Sequence, residues 1–450
     1  MPQTHRRLGA MDLAVLWGDL GVGLLVLVSG ALLVPALGFA QALGAIVLGS
    51  ILGVGLLAFG AAAGATHGVP TMVLLRPLLG IRGSWIPSAL NALQLVGWTA
   101  VEFWAMSLVA DLVSQRVFGF SARPLWLGIA AVICIGLALW GPVGVTRIWM
   151  ERFAAWVVLG IASILTLILI IEGEVAAAFS VPGQGGLGFG SAVDLVIAMP
   201  ISWLPLVADY TRLARDPRTA ARGTFAGYLI ANIWLYALGA LLVLGPGAEP
   251  SPAGIAAGVL ALTGGTIAGV LFLLALLVGE TDEAFADIYS GAITVQNIWP
   301  DIPQKFLVAG IGIIGAVLAG WLTMDRYEAF LFLIGSVFVP LFGVFLADHF
   351  VNRRNRIEVP DLYRAGGRYW YSGGFRLPIV VPWLVGFLVY HWIVPVGPLW
   401  WVDAVSGVID TPLSARVPWL SASIPAFLVS FGLTLVPGLS STRPTKERTR

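Results

Sequence analysis

Apolar residues run through this chain in long unbroken stretches, separated by short polar loops. Twelve stretches are long enough to cross a hydrocarbon layer as helices. They lie near 14–37, 41–63, 87–113, 124–142, 152–171, 191–210, 224–245, 266–292, 307–323, 328–350, 378–397 and 419–439, numbered here spans 1–12. A membrane barrel would show short alternating segments, which these runs do not. The pattern predicts an all-α integral membrane protein. The first run is full-length and has no small-residue cleavage site, so it reads as a mature span. Residues 64–85 mix Gly, Pro and Arg and predict a short amphipathic helix at the interface. Residues 247–265, rich in Gly and Pro, predict a short re-entrant helix. The longest polar stretch, 351–377, divides ten spans from the last two.

Composition agrees with this. Of 450 residues, 58% are hydrophobic and 11% charged, with mean hydropathy +0.91. Soluble domains carry about 25% charged residues, so the bilayer is the solvent. A net charge of +1 offers no basic field for nucleic acid. Cys134, the single cysteine, lies in an apolar run and reads as inert packing. Twenty-one of the 25 Lys and Arg fall at the termini and in loops 2–3, 4–5, 6–7, 8–9 and 10–11. The other four are Arg116, Arg123, Arg326 and Arg416. By the positive-inside rule both termini are cytoplasmic. The expected location is a bacterial inner membrane, with no obligatory protein partner.

Span 1 reads Trp17-Gly18-Asp19-Leu20-Gly21-Val22-Gly23, with three glycines and an acid inside an apolar run. Glycine weakens a helix and leaves its backbone approachable. Span 6 reads Met199-Pro200-Ile201-Ser202-Trp203-Leu204-Pro205, and each proline deletes a backbone donor and crowds the preceding turn. Close packing or a simple kink accounts for either feature alone. The pair, five spans apart, predicts broken helices at matching places, as in inverted-repeat transporters with a site at the midplane.

Six acids lie inside spans: Asp19, Glu102, and Glu280, Asp282, Glu283 and Asp287 of span 8. None has a Lys or Arg partner within a span. Asp111, Asp194 and Asp348 fall near span ends, within expected reach of water. A carboxylate at a helix centre costs about 2.5–3.5 kcal/mol, so six charged and lipid-facing would cost on the order of 15–20 kcal/mol. The six must face a wet cavity, carry protons or bind a cation; for Asp19, water at a helix end serves equally. Glu280, Glu283 and Asp287 share one helical stripe, and Asp282 points elsewhere, free to meet span 1. In span 3, Gln94, Trp98 and Glu102 form another stripe. A flat heteroaromatic ring could stack on Trp98 while Glu102 accepts from its N–H edge; plain packing also explains a tryptophan. His67, His349 and His391 are dispersed and make no metal set. HExxH, GxSxG, GxGxxG and Walker patterns are absent.

At these residues the chain resembles the nucleobase:cation symporter-1 family, over nearly its whole length. The marks are GATHGVPTMVLLRPLLGIRGSWIP (64–87), QLVGWTAVEFW (94–104), AMPISWLPLVADYTRLAR (198–215), ETDEAFADIYSGA (280–292), IGSVFVPLFGVFLADHFV (334–351) and YWYSGGF (369–375). SWLPLVADYTR and FADIYSGA resemble the hydroxymethylpyrimidine, or thiamine-precursor, branch. The resemblance implies a LeuT-like 5+5 inverted repeat. Residues 1–350 would be the transport core (repeats about 10–175 and 188–350), 351–377 a cytoplasmic loop and 378–440 two added helices. It implies a ring-stacking Trp98, substrate contacts from Pro200, Ser202 and Trp203, and Asp287 at the place of a substrate-site Asn. Glu102 stands where a Gln is found, and Gln94 and Glu283 complete the expected substrate set. A sodium site would join Gly21, Val22 and Leu24 of span 1 to Val278, Thr281 and Asp282 of span 8.

Two neutral amides are thus carboxylates here, and a hydroxyl place is Asp282. Carboxylates bind Na⁺ or carry H⁺, so both coupling ions stay open; no other cofactor is expected. An aminopyrimidine edge, with its amino group and protonatable ring nitrogen, suits such a wall better than uracil. The function expected is ion-coupled import of a small pyrimidine, hydroxymethylpyrimidine or a related thiamine precursor. Cytosine, another nucleobase or thiamine are alternative cargoes. A channel or a non-transporting sensor is a further class. An intramembrane aspartyl enzyme would need a Gly-x-Gly-Asp element, which is missing.

Overall fold

A computed structural model describes residues 1–140, 155–409 and 411–436. The basic residues of loop 4–5, the ends of spans 4 and 5 that flank it, and the chain beyond 436 lie outside the described residues. The architecture is helical, with isolated bridges at Leu8–Ala214 and Ser372–Phe375 and no longer strand pairing among the described residues. Backbone groups in lipid have no water to bond, and helices satisfy them internally. Among the described residues six helices are long and apolar enough to cross a membrane, and the two halves of span 1 make a seventh together. Span 8, Ile267–Gln296, has the length but carries four buried acids. Spans 5, 9, 11 and 12 are the shorter helices Ala155–Ile171, Gln304–Ala319, Val380–Ile393 and Ser423–Thr434.

Span 1 is broken as its glycines predict. Helices Ala10–Asp19 and Leu24–Ala31 meet at 61°, and Gly23 between them is extended (φ −139°, ψ 167°). Span 6 is not broken in the same way. Helix Phe189–Trp203 continues through Pro200, tightens to a 3₁₀ turn at Leu204–Leu206 and resumes at Val207–Thr211. Pro205 sits in the first turn of that 3₁₀ segment, where its missing N–H costs no helical bond. Spans 1 and 7 (Pro217–Leu244) pack backbone to backbone. A Cβ on Gly239 would stand 1.9 Å from the Leu27 carbonyl, and one on Gly227 2.1 Å from that of Ala14, the close approach that small residues allow in membranes.

Other loop expectations change. Residues 64–85 do not lie as an amphipathic interfacial helix. Gly68, left-handed at φ 65°, ends span 2, and two one-turn helices, Thr71–Leu74 and Arg76–Leu79, are buried beneath loop 10–11. The Thr71 N–H donates to Asp209 (3.1 Å), and Arg76 donates to Asn297 (3.0 Å) and the Leu362 carbonyl (2.8 Å). The segment 247–265 does carry a helix, Pro252–Leu262, capped by Ser251.

The acids expected near water are buried instead, because the protein supplies donors. Asp348 pairs with Arg353 (2.5 Å) and Arg376 (3.2 Å). Asp194 accepts from Ser421 Oγ (2.6 Å) and the N–H groups of Ala422 (2.7 Å) and Ser423 (3.0 Å), which pins the start of span 12 to span 6. Asp111 accepts from Gln115, Ser121 and the Ala122 N–H. His67 and His349, far apart in sequence, meet edge-on at 5.2 Å.

Candidate functional site

The stripes of spans 3 and 8 face each other at mid-span, and the second half of span 6 closes the space between them. Trp98, Glu102, Met199, Ser202, Trp203, Glu283 and Asp287 line one small cavity of roughly 10 Å³. Trp98 is 5% exposed, and its indole N–H has no partner. Its outer edges meet Tyr327 (6.2 Å) and Phe330 (5.4 Å) of span 10, Met324–Leu346, edge-to-face. On the other side, Trp203 leans on Trp17 of span 1 (6.1 Å), which also touches Tyr210 and Tyr228. Aromatic groups thus bound the cavity above and below.

Behind the cavity the acids contact one another. Glu280 accepts the N–H of Leu24, the residue just past the span 1 break. Glu102 lies beside both Glu280 and Glu283. Asp282 meets Asp19 across the same break. All six are buried, and Asp19, Glu102, Glu280, Glu283 and Asp287 join no ion pair among the described residues. Gly23 is required here by space. A Cβ on it would fall 2.2 Å from Glu283 Oε1 and 2.8 Å from Glu280 Oε1.

Six of the seven cavity residues come from the set chosen on sequence; Met199 is the addition. Gln94 does not line the cavity. Its amide donates to the Ser202 carbonyl (2.7 Å) and so holds span 6 in place. The Ser202 hydroxyl is turned back to the Met199 carbonyl (2.6 Å). Pro200 does not line the cavity, and its ring faces Gly53 of span 2 (Phe39–His67). Thr281 and Val278 lie on the groove side of span 8. The Thr281 hydroxyl donates to the Val278 carbonyl (2.6 Å), and both line an apolar groove with spans 3 and 4. Gly21 packs on Ala231 of span 7, and Val22 lines an apolar recess between spans 1, 5 and 7. Of that ion set, Asp282 lies beside Asp19 and Leu24 donates its N–H to Glu280, the acid that reaches the span 1 backbone. Periodicity placed Glu280 on the cavity stripe but gave no sign of its contact with Leu24. The Gly-x-Gly of span 1 was the available signal for Gly23.

Residues 1–410 match the family described as permease for cytosine/purines, uracil, thiamine and allantoin. Among curated relatives, the hydantoin permease of Microbacterium maritypicum is 27% identical over 86% of this chain and 82% of its own length. The cytosine permease of Escherichia coli (strain K12) is 27% identical over 76% of each. Among solved structures, Mhp1, a nucleobase-cation-symport-1 family transporter in a closed conformation with bromovinylhydantoin bound, superposes with a TM-score of 0.80. That match covers 96% of this chain and 92% of the other at 23% identity. The fold is therefore that of Mhp1.

Proposed function

Because the chain belongs to the family of permeases for cytosine/purines, uracil, thiamine and allantoin, we propose that it imports a small pyrimidine-type ring by cation symport. Hydroxymethylpyrimidine or a related thiamine precursor is the proposed cargo. One observation carries the reading. The cavity wall presents three carboxyl groups, Glu102, Glu283 and Asp287, beside the face of Trp98, and no Lys or Arg lines it. Such a wall accepts hydrogen bonds and favours positive charge. An aminopyrimidine supplies an amino group and a protonatable ring nitrogen on one edge, which a carboxylate grips with two bonds. Carbonyl-rich neutral rings would find one ready donor, the Trp98 N–H. In this reading the ring stacks on Trp98, Glu102 and Asp287 hold its edge, and Gln94 fixes Ser202 and Trp203 as the facing wall. Access alternates from outside to inside around the break of span 1.

The same reading puts the N-terminal face in the cytoplasm of a bacterial cell, with residues 1–350 as the moving core and 378–440 as an added pair. Cytosine is the second candidate, favoured by its own amino edge and by the cytosine permease among the relatives. Uptake of radiolabelled hydroxymethylpyrimidine into cells or proteoliposomes tests the choice. The expected result is saturable uptake, competed by aminopyrimidines and little affected by hydantoin or uracil. Saturable cytosine uptake with none of hydroxymethylpyrimidine would install the second candidate. Transport of neutral hydantoin or uracil alone would defeat the charge argument.

A further inference from the structure

A second cavity, of roughly 510 Å³, lies past the end of span 6, between loop 2–3, the last turns of span 8, the start of span 9 and loop 10–11. Sites for small ligands run to about 300–1,000 Å³, so it has room for a substituted ring. Its charge is opposite to that of the central wall. Arg76 and Arg212 line it, and no Asp or Glu does. Neither guanidinium joins an ion pair among the described residues. Arg76 is 9% exposed, and its bonds go to neutral acceptors, the Asn297 side chain and the carbonyls of Leu362 and Asn297. Two of its five N–H groups are left over. Arg212 has an acid one turn behind it. That carboxylate, Asp209, accepts the Thr71 N–H, and Arg212 donates to the Asp209 carbonyl instead (3.1 Å). Buried charge is costly unless it is paired, and two such guanidinium groups on one cavity call for an anion. Arginine forks match phosphate oxygens with paired bonds. Gln296 and Gln304 add amide donors, and Trp85 and Tyr289 add aromatic surface.

We infer that this outer cavity is a separate binding site for a phosphate monoester on a flat ring, held between Arg76 and Arg212, and that its occupant slows transport. The slowing, unlike the binding, rests on the reading of the chain as an importer of such a ring. The ester is not cargo, because the three carboxyl groups of the central wall repel it. A phosphotransferase acting on a hydroxyl of the imported ring would supply it, so the site senses the product of a reaction that consumes the cargo. Aromatic rings connect the two cavities. Trp203 of the central one leans on Trp17 (6.1 Å), Trp17 on Tyr210 (6.2 Å), and Tyr210 on Tyr289 of the outer one (6.3 Å). Loop 2–3 is already tied to the end of span 6 by Thr71–Asp209 and to the end of span 8 by Arg76–Asn297. An anion bonded to both arginines adds a tie across the same joint. It binds this arrangement better than one in which the arginines part, and that difference is what a ligand needs to shift a population.

The test places the full chain in phosphatidylcholine nanodiscs and titrates phenyl phosphate by calorimetry at about 0.15 M salt, where surface charge is screened beyond about 8 Å. Saturable binding is expected for phenyl phosphate and none for phenol. Arg212→Gln is expected to weaken it by about tenfold or more, the worth of one charge-assisted hydrogen bond. Absent binding, equal binding of phenol, or undiminished affinity in the variant overturns the inference. The comparison with phenol needs no variant and decides the matter if Arg212→Gln does not fold. A phospholipid head group carries the same phosphate chemistry. Adding phosphatidylglycerol to the discs is expected to leave the affinity unchanged; loss of phenyl phosphate binding there assigns the site to lipid and overturns the soluble ester. In right-side-out vesicles, phenyl phosphate trapped inside is expected to slow uptake by at least about fivefold, the low end of ligand coupling, and Arg212→Gln to relieve the slowing. Unslowed uptake overturns the coupling between the cavities. If hydroxymethylpyrimidine is not taken up at all, the cargo reading fails alone, because calorimetry still decides the site.

Discussion

Gly23→Ala isolates the contact between the span 1 break and the acids. The backbone there is extended at φ −139°, a conformation any residue adopts, so the methyl adds no backbone strain. Its effect is confined to what it touches. The new Cβ would stand 2.2 Å from Glu283 Oε1 and 2.8 Å from Glu280 Oε1. Ordinary contact begins at 3.4 Å, so Glu283 must withdraw by about 1.2 Å, beyond the tolerance of about 0.5 Å for a preorganised binding group. Both atoms end flexible side chains, so the fold itself gives way cheaply. A positioned group misplaced by about 1 Å costs up to about 100-fold. The expectation is a KM for uptake raised within that range and a midpoint of thermal unfolding in detergent close to wild type. Gly55→Ala, with nothing within 4 Å of the new methyl, is the control and is expected to transport normally. Unchanged KM in Gly23→Ala would mean that Glu283 does not bind substrate where the cavity places it.

Trp98→Ala is expected to raise KM by about 5- to 150-fold, since stacking a base on an aromatic ring is worth about 1–3 kcal/mol; Trp98→Phe should fall between, and equal KM values would remove the stacking role. Asp194→Ala leaves two N–H donors and the Ser421 hydroxyl without their acceptor, each costing about 1–3 kcal/mol. Thermal inactivation should come earlier in Asp194→Ala than in Asp194→Asn, and equal inactivation would show that span 12 does not depend on the anchor. Arg353→Met leaves Asp348 to Arg376 alone and the Pro77 carbonyl to the Tyr371 hydroxyl alone. A loss of about 3 kcal/mol is expected, the lower end for breaking a buried pair, with KM unaltered; a stable variant with altered KM would place this cluster in the transport path.

Much of the fold was legible because lipid makes hydropathy literal. Continuous apolar runs gave the twelve helices in order, and glycine density gave the span 1 break. The prolines of span 6 misled, because Pro205 occupies the first turn of a 3₁₀ segment, where a missing donor costs nothing. At the site, 3.6-residue periodicity brought Trp98, Glu102, Glu283 and Asp287 to one cavity, as stripes on facing helices must. What periodicity cannot supply is rotation between helices. That is why Pro200 turned out to face Gly53 and Thr281 to face the groove side. Contacts between segments hundreds of residues apart, Asp194 with span 12 or His67 with His349, leave no trace in local sequence.

The structure separates two kinds of buried acid, and the difference constrains the cargo. Asp348 meets two guanidinium groups, and Asp194 and Asp111 each meet three donors. These contacts hold helices together. Glu102, Glu280 and Glu283, and Asp19 with Asp282, meet each other instead. Six charged acids would cost on the order of 15–20 kcal/mol in a membrane, more than the roughly 5–15 kcal/mol by which a typical protein is stable. Such acids must face a wet cavity, carry protons or bind a cation. On the proposed reading Asp287 on the cavity wall is left for the substrate. A cationic ring cancels the Asp287 charge as it enters. A neutral ring leaves that charge buried, so the loaded cavity is closer to neutrality with an aminopyrimidinium than with hydantoin or uracil before span 1 moves.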